Sequence, residues 1–256
     1  MAQRDDHGKI AEPGYGGGRL NIVISQSMYF PWVGMLEQVR LADIFVHYDD
    51  VQFSKGSFTN RIQIKQPDGS TGWMSVPLQN LKLGQRIDEV TVKDPATWVP
   101  KHLAMLKTSF AMAPYAKDAL DLAECVLSQP HVTISQFARA SLVTMSDYFG
   151  LTSKANFVDC KSLSIGGTGS QRVFNVVKAL GGTCYVTGHG ALRYLDHELF
   201  ELGGIKVCYM KYQLKQYQQS YGSFTPYVSA LDLIAHTGRS GLDCIVSNPV
   251  YWKNFE

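Results

Sequence analysis

Thirteen consecutive residues, Asp49 through Arg61, hold two carboxylates, a lysine, an arginine, two amides and three hydroxyls. Adjacent acids can divide proton chemistry, one binding a cation or an amine while the other acts as base. Asp49 and Asp50 are therefore candidate catalytic groups. Lys55 offers a point charge, and Arg61 a planar fork, to a carboxylate or phosphate. Gln52 and Asn60 add amides for orienting a polar substrate. The competing reading is a solvated loop whose acids pair with its own basic residues.

Two further stretches share this character. Gln26-Ser27-Met28-Tyr29-Phe30-Pro31-Trp32-Val33-Gly34 joins amide and hydroxyl groups to three aromatic rings. It precedes a helical pattern, and backbone N–H groups at a helix start favour an anion. Neither GxGxxG nor GxxxxGK[ST] is present, so nucleotide binding does not follow, and the rings suit packing on a sheet equally well. Gln26, Tyr29 and Trp32 are the candidate binding residues here. In Thr187-Gly188-His189-Gly190-Ala191, a histidine flanked by glycines is open to a ligand and can exchange protons near neutrality. A lone histidine can equally be structural. The run Gly166–Ser170 reads as an anion cradle or as a loop with a serine N-cap. Tyr212, Tyr217, Gln218, Tyr221 and Phe224 can wall a pocket or serve as ordinary surface and core. No Ser-His-Asp order, Cys-His pairing or metal motif stands out, and hydrolase and metalloenzyme readings lose ground accordingly.

The elements that must position these residues are legible in outline. Leu20–Ser25 is a β-branched run of the kind buried in a parallel sheet. Val33, Leu36 and Val39 recur three apart and predict a helix, and Ile44–Tyr48 predicts a second strand. That β-loop-α-β order is the opening of a parallel α/β sheet. It places both polar stretches at carboxyl strand ends, where open α/β sheets bind ligands. Asn60–Lys65 and Gly72–Leu78 flank the turn Pro67–Ser70 and predict a β-hairpin. Residues 96–149 show helical periodicity, with Pro100, Pro114 and Pro130 at first turns or breaks. Ser170–Leu180 predicts a helix, Cys184–Thr187 a strand, Asp196–Leu202 a short helix and Ile205–Tyr212 a strand. A final helix is expected over Tyr227–His236, with Pro226 in its first turn. The fold class expected is α/β: a mostly parallel sheet flanked by helices, with a β-hairpin and a helical insertion. Residues 1–19, Gly-rich and without apolar pattern, read as a disordered leader, and 20–256 as a single domain.

Bulk composition narrows the partners. A net charge of +2 demands neither a nucleic-acid duplex nor an anionic membrane. No stretch approaches the roughly 18 apolar residues of a membrane span, and no apolar signal segment opens the chain. Cys125, Cys160, Cys184, Cys208 and Cys244 are scattered and odd in number, against both a disulfide framework and a zinc site. Reduced thiols in a cytoplasmic protein are the expectation. No metal or cofactor is implied.

Residues 25–65 resemble the opening of WbqC-like proteins, which show a Gln-Pro-x-Tyr-Leu-Pro-Trp-x-Gly segment followed by Asp-Asp-Val-Gln-Phe and Asn-Arg. Here these read Gln26 to Gly34, Asp49 to Phe53, and Asn60-Arg61, with Ser27 and Phe30 replacing the usual Pro and Leu. Trp73-x-x-Val76-Pro77, Tyr185 to Gly188 with Tyr194-Leu195-Asp196, and Phe224-x-Pro226 leading to Ser229 and Leu231-Asp232 extend the resemblance over residues 21–238. The histidines His47 and His189 have no assigned place in that pattern. The resemblance implies small-molecule biosynthesis, in polysaccharide or natural-product settings, on a small amino substrate. Acyl- or aminoacyl-type transfer to an amine is the leading expectation. Asp49 or Asp50 would handle the amine, Lys55 and Arg61 an anionic part, and His189 a proton, with Tyr194 among the binding residues. Cofactor-free cyclodehydration to an imine, and a non-catalytic binding protein in a biosynthetic complex, are the alternatives. Self-association into a homo-oligomer is compatible with each.

Overall fold

The computed structural model describes residues 18–213 and 215–255. Along the chain run β1 (Asn21–Ser25), α1 (Val33–Leu41), β2 (Ile44–His47), the hairpin strands β3 (Arg61–Lys65) and β4 (Thr71–Ser75), then α2 (Pro95–Ser109), α3 (Ala116–Leu127) and α4 (Ile134–Tyr148). After these come β5 (Asn156–Asp159), α5 (Gly169–Ala179), β6 (Cys184–Thr187), α6 (His197–Leu202), β7 (Lys206–Met210), α7 (Ala230–Thr237) and β8 (Pro249–Tyr251). Most of the leader expected over residues 1–19 lies outside the described residues.

Six strands form one sheet in the order β5-β2-β1-β6-β7-β8, all parallel except β8, which pairs antiparallel with β7. The fold class is α/β, with the hairpin β3–β4 as a separate two-stranded ribbon. A parallel sheet needs cover on both faces, so its strands are apolar in both phases of the pleat. Val23, Phe45, Val186 and Met210 face a large core shared with the helical insertion, while Ile22, Ile24, Val46, Val207 and Tyr209 face the core that includes Phe174 of α5 and Phe200 of α6.

Local chemistry sets the helix boundaries. Asp94 caps α2, accepting from Ala96 N–H, with Pro95 as first helical residue. Thr133 and Gln136 form a reciprocal capping box on α4. Pro100 sits inside α2 rather than at a break. The expected helix at Tyr227 begins instead at Ala230. Ser229 caps it by accepting from Leu231 N–H, and Val228 and Ser229 are held extended by bridges to Gln63 and Trp32. The short strands β5 and β8 were not anticipated. Among the described residues no helix is long and apolar enough to cross a membrane.

Candidate active site

The chain lays β1, β2 and β5 outward in one direction, then returns to place β6 on the other side of β1. The carboxyl ends of β1 and β6 therefore flank a topological switch point, where the two connections leave on opposite faces and a crevice opens. A cavity of about 820 Å³ lies at this point, lined by Met28 and Trp32 after β1, Met35 and Gln38 of α1, and Gly188 to Gly190 after β6. Its remaining wall comes from Met210 at the end of β7 and from Tyr212, Gln216, Phe224, Pro226 and Tyr227 in the segment after it.

The β1 loop is held by its backbone. Tyr29 N–H donates to Phe58 O at 3.2 Å, Ala230 N–H to Pro31 O at 2.8 Å, and Phe30 N–H to the Ser141 hydroxyl at 2.9 Å. Phe30 has φ of 35°, a left-handed value that bulky residues rarely adopt, and its ring is fully buried. The turn aims Trp32 over the first turn of α1. A Cβ on Gly34 would lie 2.2 Å from the indole ring, so the close approach requires glycine at that position. Trp32 meets Tyr212 edge-on with ring centres 5.8 Å apart, and Tyr227 at 6.3 Å. The Tyr212 hydroxyl donates to Cys244 O at 2.9 Å, fixing that ring.

His189 is exposed in a short 3-10 turn after β6, its ring edge-on to Phe255 at 4.7 Å. Two amides, Gln38 and Gln216, complete a lining in which, among the described residues, no side chain is a carboxylate, lysine or arginine. This arrangement suits a flat, mostly uncharged molecule held by aromatic faces and oriented by amides, with one imidazole available for proton transfer.

The charged candidates do not line this cavity. Asp49 is fully buried: it accepts from Ser27 N–H and the Ser27 hydroxyl, both at 2.8 Å, and from Arg139 Nε at 2.6 Å. Arg139 also forks onto Asp159 at 2.8 and 3.1 Å, so one guanidinium ties together the carboxyl ends of β1, β2 and β5. Burial raises the Asp49 carboxyl above its usual range against the pull of Arg139 and Ser27. His47 lies 2.9 Å from the Ser27 hydroxyl and stacks on Phe157. Because that hydroxyl donates to Asp49, the network assigns the hydrogen to His47 Nδ1. Burial, reinforced by Arg139, lowers His47 to about 4, so it is neutral at pH 7.

Asp50 pairs with Arg172, which lies over the Tyr48 ring and donates to Ile165 O. Tyr29 is enclosed, its hydroxyl 3.1 Å from His102 Nδ1. Arg61 stacks on Trp73 at 4.0 Å and donates to Gly56 O, while Asn60 donates to Val76 O. Lys55 and Gln52 are exposed, Gln26 is half-buried and Tyr194 is 70% exposed. Of the sequence candidates, the structure brings Trp32 and His189 together on the cavity. Tyr212 and Phe224, noted as pocket walls, join them. Gln38 and Gln216 were missed, although Gln38 follows Met35 by three on the same helix face. Among the described residues no group of three or more His, Cys, Asp or Glu is placed to hold a metal.

No solved structure matches the chain. The uncharacterized protein Rv1507c of Mycobacterium tuberculosis is 32% identical over 226 residues, covering 87% of this chain and 96% of its own. The model of the WbqC-like protein family matches residues 26–244, which takes in the β1 loop, the buried Asp49 network and every wall of the cavity. The chain belongs to the WbqC-like protein family.

Proposed function

We propose that the protein is a small-molecule biosynthetic enzyme that joins an amine to a carbonyl carbon in the switch-point cavity. The observation that carries this reading is His189, an imidazole at the carboxyl end of β6, facing an aromatic cavity beside two amides. Trp32, Tyr212 and Tyr227 hold the apolar body of the substrate. Gln38 and Gln216 orient its polar groups, and His189 takes the proton that the amine loses as the C–N bond forms. If the tetrahedral adduct then expels the leaving group of an acyl donor, the outcome is acyl- or aminoacyl-type transfer. If it expels water, the outcome is an imine by cyclodehydration. The uncharged lining favours the second course, because an activated acyl donor that carries phosphate is better held by fixed positive charge.

Asp49 keeps a supporting place in this reading: it fixes the β1 loop through Ser27 rather than meeting the substrate. Incubating the protein with amino acids and amino sugars, alone and with acyl donors, and weighing the products tests it. Loss of 18 mass units, the mass of one water, marks cyclodehydration, and gain of an acyl group marks transfer. His189→Asn is expected to lower turnover by about 10²-fold or more. Turnover unchanged in a folded His189→Asn variant overturns the assignment.

A further inference from the structure

A second cavity, of about 670 Å³, opens where the segment after β7 crosses α7, and its wall includes Ser220, Tyr221, His236, Gln218, Met112 and Pro114. The Ser220 hydroxyl lies 2.8 Å from His236 Nε2. On the other side of the ring, Nδ1 lies 2.8 Å from Asp232 O and 3.4 Å from the Asp232 carboxylate, one helical turn earlier in α7. Both neighbours of Nδ1 are acceptors, which assigns it the hydrogen and leaves Nε2 as acceptor toward serine. Asp232 is 2% exposed, and one carboxylate oxygen accepts from the Tyr217 hydroxyl at 2.9 Å while the other has no hydrogen-bond partner. A serine hydroxyl, an imidazole in the accepting tautomer and a buried carboxylate behind it form the relay that activates a serine nucleophile on unrelated folds. The chain order Ser220, Asp232, His236 hides it in the sequence, because a helical turn and a loop crossing assemble it.

The Ser220 N–H also donates to His236 Nε2 at 2.8 Å, so the backbone and the hydroxyl share the one lone pair of that nitrogen. The hydroxyl belongs to a half-exposed residue that lines the cavity. Immediately afterwards Tyr221 takes φ of 61° and Gly222 φ of 75°, a sharp left-handed corner that sets Ser220 at its edge. The ammonium of Lys65, 2% exposed on β3, donates to Tyr221 O and Ser223 O and pins that corner.

We propose that Ser220 is a nucleophile, with His236 as its general base and Asp232 as the residue that positions His236, acting on esters or thioesters of small acyl groups. The Ser220 oxygen bonds to the acyl carbon as its proton passes to His236 Nε2. The C–O or C–S bond of the ester then breaks, and the departing oxygen or sulfur takes that proton. Water repeats the sequence on the acyl-serine, releasing the acid and restoring the hydroxyl. This site is separate from the switch-point cavity and does not depend on the function proposed for it.

The test is covalent labelling of the full chain with diisopropyl fluorophosphate, read by intact mass and peptide mapping. The expected result is one diisopropylphosphoryl group on Ser220, formed with loss of fluoride. No adduct should form at that peptide in Ser220→Ala, and labelling should be at least ~100-fold slower in His236→Asn. The groups facing His236 are Asp232 on its own helix, Lys65 on β3 and the Tyr217 phenol. Burial pulls the imidazole down, but Asp232 carries it above its ordinary value. Labelling is therefore expected to rise with pH through a midpoint above that value, and Asp232→Asn to move the midpoint downward, which a packing defect alone does not do. A wild-type chain that stays unlabelled, or that is labelled on another residue and equally in Ser220→Ala, overturns the proposal. Wild-type peptide mapping decides the matter even where a variant fails to fold.

Discussion

The switch-point cavity and the polar frame around Asp49 and Asp50 are built from opposite materials. Among the described residues the cavity wall consists of aromatic rings, methionines, amides, glycines, a proline and one histidine, with no carboxylate or fixed cation. The frame concentrates charge: Asp49, Arg139 and Asp159 in one chain of bonds, Asp50 and Arg172 in another. Both rest on carboxyl strand ends of one sheet and share that of β1. A buried charge must be paired and hydrogen-bonded, which consumes the valences that would otherwise reach a substrate. A dense cluster of charge in a sequence can therefore mark the scaffold of a site, while its contact surface is nearly neutral.

The largest effect should come from breaking the frame. Arg139→Ala leaves Asp49, 0% exposed, with Ser27 alone to hold its charge. Removing one partner of a buried pair costs about 3–5 kcal/mol. Urea denaturation should show a loss in that range, and a loss under 1 kcal/mol would mean that the frame is not what holds the strand ends. Ligand affinity of the remaining folded protein should change far less than stability, since Arg139 does not line the cavity.

A slightly smaller effect follows from pH. His47 and His102 are both pushed down to about 4, chiefly by burial, whereas an unfolded histidine titrates near 6.5. Between those values the unfolded chain binds more protons than the folded one, so stability is full above pH 6.5 and declines as pH falls toward 4. The expected loss is roughly 3 kcal/mol per histidine across that window. Urea midpoints of the wild type against His47→Gln and His102→Gln, at pH 7.5 and 4.5, isolate each share. A wild type no more acid-sensitive than either variant contradicts the burial argument.

What could be read from the residues divides along the same line. Strands β1, β2, β6 and β7 were legible because a sheet covered on both faces writes itself as short apolar runs between turn residues. β5 reads Asn-Phe-Val-Asp at the sheet edge and β8 is three residues long, too short to carry a pattern. Trp32 and His189 could be picked out because each lies in the segment that follows a strand. The pairing of Asp49 with Arg139 spans 90 positions and that of Asp50 with Arg172 spans 122, so local reading left the acids free when the fold neutralises them. Gln38 and Gln216 carry no charge or glycine signature, and the sheet order alone sets them on the cavity.

The smallest effect tests the cavity side of the comparison, through one methyl group. Gly34 lies under the Trp32 indole, and the Cβ of Gly34→Ala would approach three ring atoms to 2.2, 2.5 and 2.6 Å. The indole is what must yield, because Gly34 is buried within α1 and its backbone is fixed by the helix. The ring must swing out, and overpacking of this kind costs about 1–3 kcal/mol. Against that loss stands the helix preference for alanine over glycine, near 1 kcal/mol, so the net destabilisation should fall toward the low end. The optical signature is more telling than the stability. Trp32 would leave its contacts with Tyr212 and Tyr227, and near-ultraviolet circular dichroism should lose intensity while the far-ultraviolet spectrum holds. If turnover falls with that signal, the aromatic wall binds the substrate; if the signal falls and turnover holds, the apolar body of the substrate lies elsewhere in the cavity.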